Sequence, residues 1–289
     1  MRITIDTAAG FCPGVQRAIK KSEEELEKDR EFFSLGSLLH NELEMGRLEA
    51  KGLLLRNNND LPDLRGKKAL IRAHGEPPGT YSEAEKYGVE LIDATCGVVK
   101  RLQKKIKIAS EEMQPIDGQI VIFGRDDHPE VLGLVGHAGG LDIVISREEE
   151  LSRIDVSRPV RMFSQTTMDA DMYEHLYGQL KSRMQDSAQN PNFIKYNTIC
   201  HHVTKRIPSL KKFAAQSEVI IFVSGRESSN GKKLFSICKG ENTSSYFIAE
   251  IEELRKEWFE ETSTVGISGA ASTPLWLMKD VAKKIKQII

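Results

Sequence analysis

Short apolar runs rich in β-branched residues alternate along the chain with longer charged, amphipathic segments. Ten of these runs fit strands: Arg2–Ile5, Phe32–Leu35, Ala69–Arg72, Val89–Asp93, Gln119–Phe123, Ile143–Ile145, Val160–Phe163, Val219–Val223, Tyr246–Ile248 and Thr264–Ile267. Between them, Val15–Lys28 puts Val15, Ala18, Ile19, Ser22 and Leu26 on one helical stripe, and Val98–Met113 does so with Val98, Leu102, Ile106 and Met113. Strand-sized and helix-sized periods in alternation predict an α/β fold with parallel-type sheets.

The unusual residues fall at the joints of this pattern. Cys12 and Cys96 each lie between an expected strand and an expected helix, and Cys200 sits in a turn before a basic, helical stretch; the three are 84 and 104 residues apart. A second set follows each cysteine by about thirty residues: His40-Asn41, His128-Pro129-Glu130 and Ser228-Ser229-Asn230. A third set lies further on: His74, Thr166 and Ser272, each closing a strand. Ligands of open α/β sheets bind at such strand ends. Three sets in three segments predict three small lobes about a pseudo-threefold axis, with boundaries at residues 1–97, 98–193 and 194–289. Cys96 then sits at the edge of the second lobe.

Composition narrows the function classes. In 289 residues, 41 Lys and Arg offset 42 Asp and Glu, so no overall basic surface for nucleic acid is expected. Hydrophobic residues at 39% and charged ones at 29% exclude disordered and collagen-like chains. Four scattered cysteines fit a reducing compartment rather than a disulfide scaffold. The N-terminus has no signal-peptide core, and no run approaches a membrane span. A cytoplasmic protein without a membrane partner is expected.

Three thiolates from three turns can hold a metal and leave one position open. Zinc and a cubane iron–sulfur cluster both suit soft sulfur donors, and the spacing does not separate them. Cys238 lies on an apolar helical stripe and reads as core. His40, His74 and His128, with Ser228, Ser229, Asn230 and Ser272, supply donors for a small anion such as a diphosphate, although helix capping accounts for some of them. Glu130 is the one carboxylate among them. Desolvation would let it carry a proton at neutral pH, with Thr166 and Thr167 as a relay, but an ordinary first-turn helix carboxylate is equally compatible.

Taken together, the segments Phe11-Cys12-Pro13-Gly14-Val15, His40-Asn41, Ala73-His74-Gly75, Asp93-Ala94-Thr95-Cys96, His128-Pro129-Glu130-Val131, Gln165-Thr166-Thr167, Thr198-Ile199-Cys200, Ser228-Ser229-Asn230 and Ala271-Ser272-Thr273-Pro274 resemble the LytB/IspH family in order over almost the whole chain. The resemblance implies a trefoil of three α/β lobes around a central [4Fe-4S] cluster held by Cys12, Cys96 and Cys200, with one open iron. It implies reductive dehydroxylation of 4-hydroxy-3-methylbut-2-enyl diphosphate to isopentenyl and dimethylallyl diphosphate, the last step of the non-mevalonate isoprenoid pathway. His40, His74, His128, Ser228, Ser229, Asn230 and Ser272 would then grip the diphosphate, while Glu130 and Thr166 serve the hydroxyl end. A ferredoxin or flavodoxin is the implied electron donor. The chain departs from the family pattern at Gly97-Val98, Val203, Ile207, Gly231 and Ala270. These departures leave a second reading open: an iron–sulfur relative acting on another unsaturated, phosphorylated compound. A zinc enzyme or a phosphate-binding module is the third.

Overall fold

The structure is a computed structural model that describes residues 1–186 and 192–289. In chain order the elements are β1 (Arg2–Ile5), α1 (Pro13–Leu26), β2 (Phe32–Leu35), α2 (Glu42–Ala50), β3 (Leu53–Arg56), β4 (Lys68–Ile71), α3 (Pro78–Tyr87), β5 (Glu90–Asp93), α4 (Gly97–Met113), β6 (Gln119–Phe123), α5 (Pro129–Val135), β7 (Asp142–Ile145), β8 (Val160–Ser164), α6 (Ala170–Gln185), β9 (Phe193–Lys195), α7 (His201–Ala214), β10 (Val219–Val223), α8 (Ser229–Glu241), β11 (Ser245–Ile248), β12 (Thr264–Gly269) and α9 (Leu275–Ile288). The ten expected strands occur within two residues of their expected limits at either end. Two further strands, β3 and β9, are short, half-exposed sheet edges; β3 is Leu53-Leu54-Leu55-Arg56, apolar but without β-branched residues, and β9 has only three residues.

Three four-stranded sheets result, ordered β3-β2-β4-β5, β7-β6-β8-β9 and β11-β10-β12-β1. Pairings such as β2–β4, β4–β5, β6–β8, β8–β9, β10–β12 and β1–β12 are parallel. Each sheet follows one plan. The chain lays an inner strand, steps outward to an edge, crosses back to the other inner strand, and finishes on the opposite edge. The third sheet takes that last strand from the start of the chain.

Two expected lobe limits shift as a result. Arg2–Ile5 belongs to the third sheet and not to the first third of the chain. The expected join at 193/194 falls inside β9, which completes the second sheet. Hydrophobic patterning along a single strand cannot show which sheet that strand joins. The described residues form two compact units. The first comprises Met1–Phe32, Ser37–Leu54 and His201–Ile289, and the second Phe33–Gly36 and Leu55–Cys200.

Within the second unit, β6 and β8 are buried on both faces. Val121, Phe123, Val160 and Met162 point into one core with Tyr173, Leu176 and Leu180 of α6. Ile120, Ile122 and Phe163 point into the other with Leu102 and Ile106 of α4. In the first unit, Val219, Ile221 and Val223 pack with Leu277, Val281 and Ile285 of α9, while Ile220 and Phe222 pack with Leu210 of α7 and Leu234 of α8. Unbroken apolar runs are what a two-sided parallel sheet requires. Each such side chain contributes roughly 1.5–3 kcal/mol by leaving water.

Candidate active site

The strand order determines where the polar sets emerge. In each sheet the two inner strands send the chain in opposite directions, and this switch point opens a crevice at their C-terminal ends. His40, His128 and Ser228–Asn230 follow β2, β6 and β10, while His74, Thr166 and Ser272 follow β4, β8 and β12. The cysteines follow the outer strands β5, β9 and β1. Each cysteine amide donates to a carbonyl two residues beyond the end of the neighbouring inner strand. Cys96 reaches Ala73 at 3.0 Å, Cys200 reaches Thr166 at 2.8 Å, and Cys12 reaches Ala271 at 3.2 Å. One local geometry is thus built three times from unrelated letters.

In the second unit, Glu130 sits in the first turn of α5 and is 2% exposed. Its Oε1 accepts from the Thr166 amide at 2.7 Å, and its Oε2 lies 2.7 Å from the Thr166 hydroxyl. Burial pushes its carboxyl up to about 7, against the lowering effect of both Thr166 contacts. Once protonated, the carboxyl can donate to Thr166 Oγ1 and release that hydroxyl's own proton toward another acceptor. His128 is the N-cap of α5, and its Nδ1 accepts from the Glu130 amide at 3.1 Å. An accepting Nδ1 leaves the proton of the neutral ring on Nε2, so capping also orients a donor. The rings of His74 and His128 meet edge-on, 5.3 Å between centroids.

One supporting residue, Gln103, escaped the sequence reading, and another, Gln165, was named there only within its motif. Gln103, a buried polar residue of α4, donates to the Glu76 carbonyl at 3.4 Å, close to the His74 turn. Gly75 there has φ +74°, and a Cβ on it would lie 2.5 Å from Gln103 Nε2. Gln165, fully buried, accepts from the Arg125 amide and donates to Thr167 Oγ1. Thr167 Oγ1 thus accepts one hydrogen bond and keeps its own proton to donate.

In the first unit, Ser228 caps α8 by accepting from the Gly231 amide at 3.1 Å, and Asn41 caps α2 from the Glu44 amide at 2.9 Å. Ser272 Oγ lies 3.3 Å from both Ser228 Oγ and the His40 carbonyl oxygen. A side chain at Gly225 would place Cβ 2.2 Å from that same carbonyl, so glycine lets the two turns approach. Ser229 is half-buried beside Ser228. Asn230 is 9% exposed, and both its side-chain oxygen and nitrogen are buried with no hydrogen-bond partner. The Asn230 Nδ2 donor suits an anion with acceptor oxygens, whereas Oδ1 accepts only from a donor such as a hydroxyl.

The donor set also fits an iron–sulfur group. Cys12, Cys96 and Cys200 are partly exposed, whereas Cys238 is buried among Leu234, Phe222 and Leu210 as expected. Cys12 and Cys96 are the N-caps of α1 and α4, and Cys200 directly precedes α7. Soft sulfur donors at positive helix ends suit an anionic cluster. From these cysteines onward, residues 12–22, 96–110 and 200–217 hold twelve Lys and Arg and no Asp or Glu. Helix dipoles favour the opposite arrangement, and part of this excess is neutralised within the protein, where Lys20, Lys100, Lys107 and Arg206 pair with Glu24, Asp93, Glu111 and Asp6.

The departures from the family pattern are absorbed locally. A Cβ at Gly231 would lie 2.0 Å from the buried Ser224 hydroxyl, which occupies the space a larger residue would need. Ile207 packs against the core containing Leu210 and Phe222, and Val203 is buried. Ala270 is buried, and its amide is held by Thr273 Oγ1 at 3.0 Å. A Cβ at Gly97 would meet nothing closer than 3.6 Å, so no steric demand explains that glycine.

A sequence model described as LytB protein matches residues 3–286. Similar proteins named 4-hydroxy-3-methylbut-2-enyl diphosphate reductase include one from Bacteroides thetaiotaomicron, 43% identical over 100% of this chain and 99% of its own length. Another, from Porphyromonas gingivalis, is 44% identical over 99% of each chain. A solved structure of (E)-4-hydroxy-3-methyl-but-2-enyl diphosphate reductase, described as the terminal enzyme of the non-mevalonate pathway, is 32% identical with a TM-score of 0.73, covering 99% of this chain and 100% of its own. The Plasmodium falciparum E-1-hydroxy-2-methyl-but-2-enyl-4-diphosphate reductase, at 24% identity, shares the fold with a TM-score of 0.84 over 97% of this chain and 86% of that one. Matched from end to end by the family's pattern and by its solved fold, this chain belongs to the LytB family.

Proposed function

We propose that this chain is a 4-hydroxy-3-methylbut-2-enyl diphosphate reductase, an iron–sulfur-dependent oxidoreductase of isoprenoid biosynthesis. The carbon–oxygen bond of the terminal hydroxyl breaks. Two electrons and two protons enter, one water leaves, and isopentenyl or dimethylallyl diphosphate remains. Cys12, Cys96 and Cys200 would hold a [4Fe-4S] cluster, three thiolates leaving one iron open to the substrate. When bound, the cluster supplies electrons singly and a Lewis-acidic iron.

The protein's own contribution is grip and proton supply. His40, His74, His128, Ser228, Ser229, Asn230 and Ser272 hold the diphosphate through neutral donors, which strengthen when the acceptor is charged. Glu130 and Thr166 serve the hydroxyl end as catalytic residues, the carboxyl giving a proton through the Thr166 hydroxyl to the departing oxygen. The carrying observation is that Glu130, pushed up to about 7, bonds the hydroxyl of Thr166, the residue whose backbone carbonyl accepts from the Cys200 amide. A proton donor that titrates near neutrality is thereby tied to a cysteine turn.

Electrons come from a small ferredoxin or flavodoxin, a choice supported by the basic, acid-free starts of the cysteine-led helices. A reducing cytoplasm suits thiols outside disulfides. Among the described residues, no helix is long and apolar enough to cross a membrane.

The deciding experiment is anaerobic reconstitution followed by turnover of 4-hydroxy-3-methylbut-2-enyl diphosphate with a reduced donor. Brown protein containing iron and sulfide, and forming both products, is expected. Ligand binding without turnover would favour a different substrate, and stoichiometric zinc without iron would remove the redox reading altogether.

A further inference from the structure

We propose that Asp6, Arg206 and Ser268 form a buried positioning device that sets the Cys12 loop against the Ser272 turn. The proposal rests on the reading of Cys12 and Ser272 as site residues. Asp6 directly follows β1, Ser268 lies inside β12, and Arg206 lies on α7. Arg206 Nη2 donates to Asp6 Oδ2 at 2.6 Å and contacts Ser268 Oγ at 2.7 Å, while that hydroxyl donates to the same Oδ2 at 3.0 Å. The other carboxylate oxygen accepts from the Ala8 amide at 2.9 Å, shaping the first residues of the segment that leads to Cys12. The Cys12 amide in turn donates to Ala271, the neighbour of Ser272.

The arrangement is a poor stability device. The Arg206 and Asp6 side chains are only 9% and 5% exposed, and Arg206 Nη1 is buried with no hydrogen-bond partner. Apolar side chains of similar size usually hold such a site at least as well as a desolvated ion pair. They would, however, leave register unspecified. Hydrogen bonds converging on one carboxylate fix direction as well as distance, and they join segments 200 and 262 residues apart in sequence. Asp6 lies six residues before Cys12, Ser268 four before Ser272, and Arg206 six after Cys200. A slip at this triad would therefore pass into the turns carrying the site.

The test uses the reconstituted full-length holoenzyme with two readouts that involve no turnover. One is the affinity for inorganic diphosphate by calorimetry. The other is the rate at which a ferrous-iron chelator strips the cluster. The double variant Asp6→Leu/Arg206→Met removes both charges together and is expected to melt within a few degrees of wild type. Diphosphate binding is expected to weaken about tenfold and stripping to accelerate about tenfold. Arg206→Lys, which keeps the charge and one arm, should fall between the double variant and wild type in both. Wild-type affinity and stripping in the double variant overturn the proposal.

Should the double variant fail to fold, Ser268→Ala, which retains the ion pair, carries the same two readouts with changes of about threefold expected; no change there also overturns it. Ser272→Ala separates the two layers. If that variant binds diphosphate normally, the reading of Ser272 is wrong, and the triad is judged on cluster stripping alone.

Discussion

Asn230 presents an amide whose oxygen and nitrogen are both buried and unpaired within the protein. Each such atom costs about 1–3 kcal/mol of lost hydration. Asn230→Leu is accordingly expected to raise stability by about 1 kcal/mol in urea melts while weakening diphosphate binding about tenfold. Destabilisation by that change would show that the amide is satisfied in solution. Glu130 carries the opposite kind of tension. Its folded value, about 7, lies above the ordinary 4.5, so its favourable contribution is whole below pH 4.5 and is lost as pH rises through 7. The loss is on the order of 3 kcal/mol. Glu130→Gln should therefore flatten the decline in stability between pH 5 and pH 8. It should also lower turnover by about 10² or more and remove the fall in kcat above pH 7. Near-normal turnover would take Glu130 out of the chemistry. Both residues could be named from sequence, but their burial could not, because it depends on segments as distant as the Thr166 loop, 36 residues further on.

At the scale of elements, residues that cap helices are also those assigned to the diphosphate in the proposed function. His128 caps α5 through Nδ1 and offers the proton on Nε2. His128→Asn keeps a capping oxygen and loses the ring donor, so it should leave stability nearly unchanged and weaken diphosphate binding. His128→Ala loses both and should cost about 1 kcal/mol more. Equal melting temperatures for the two variants would show that the cap contributes nothing. Pro129 after His128 and Pro13 after Cys12 stand at first helical positions, a signal that the apolar spacing did not use. It placed α1 at Val15, two residues late, because the apolar stripe begins after the proline. It missed β3, whose leucines lack the β-branched signature of a strand, and β9, which is only three residues long. In α4 it chose Val98 where Val99 is the buried residue, a one-position error that the next turn of the helix resolves.

For the whole molecule, a net charge of −1 conceals segregation. Twelve of the 41 basic side chains, and none of the 42 acidic ones, lie in the stretches that follow the three cysteines. Long-range attraction of an acidic electron carrier should be screened as salt rises. Raising ionic strength from about 0.02 to about 0.3 M is expected to slow reduction by ferredoxin or flavodoxin several-fold, and not to slow reduction by methyl viologen, a small cation. Equal salt dependence for both donors would dissociate the basic helix starts from electron delivery. By itself the sequence determined the α/β alternation, the three cysteine turns and the identity of the polar donors, because strand period, helix caps and thiol chemistry are local properties. Only the tertiary structure decided that β1 completes the third sheet, that Ser224 fills the space at Gly231, and that Asp6 meets Arg206. Those outcomes depend on which distant segments share a boundary, and local patterning carries no information about partners so far apart along the chain.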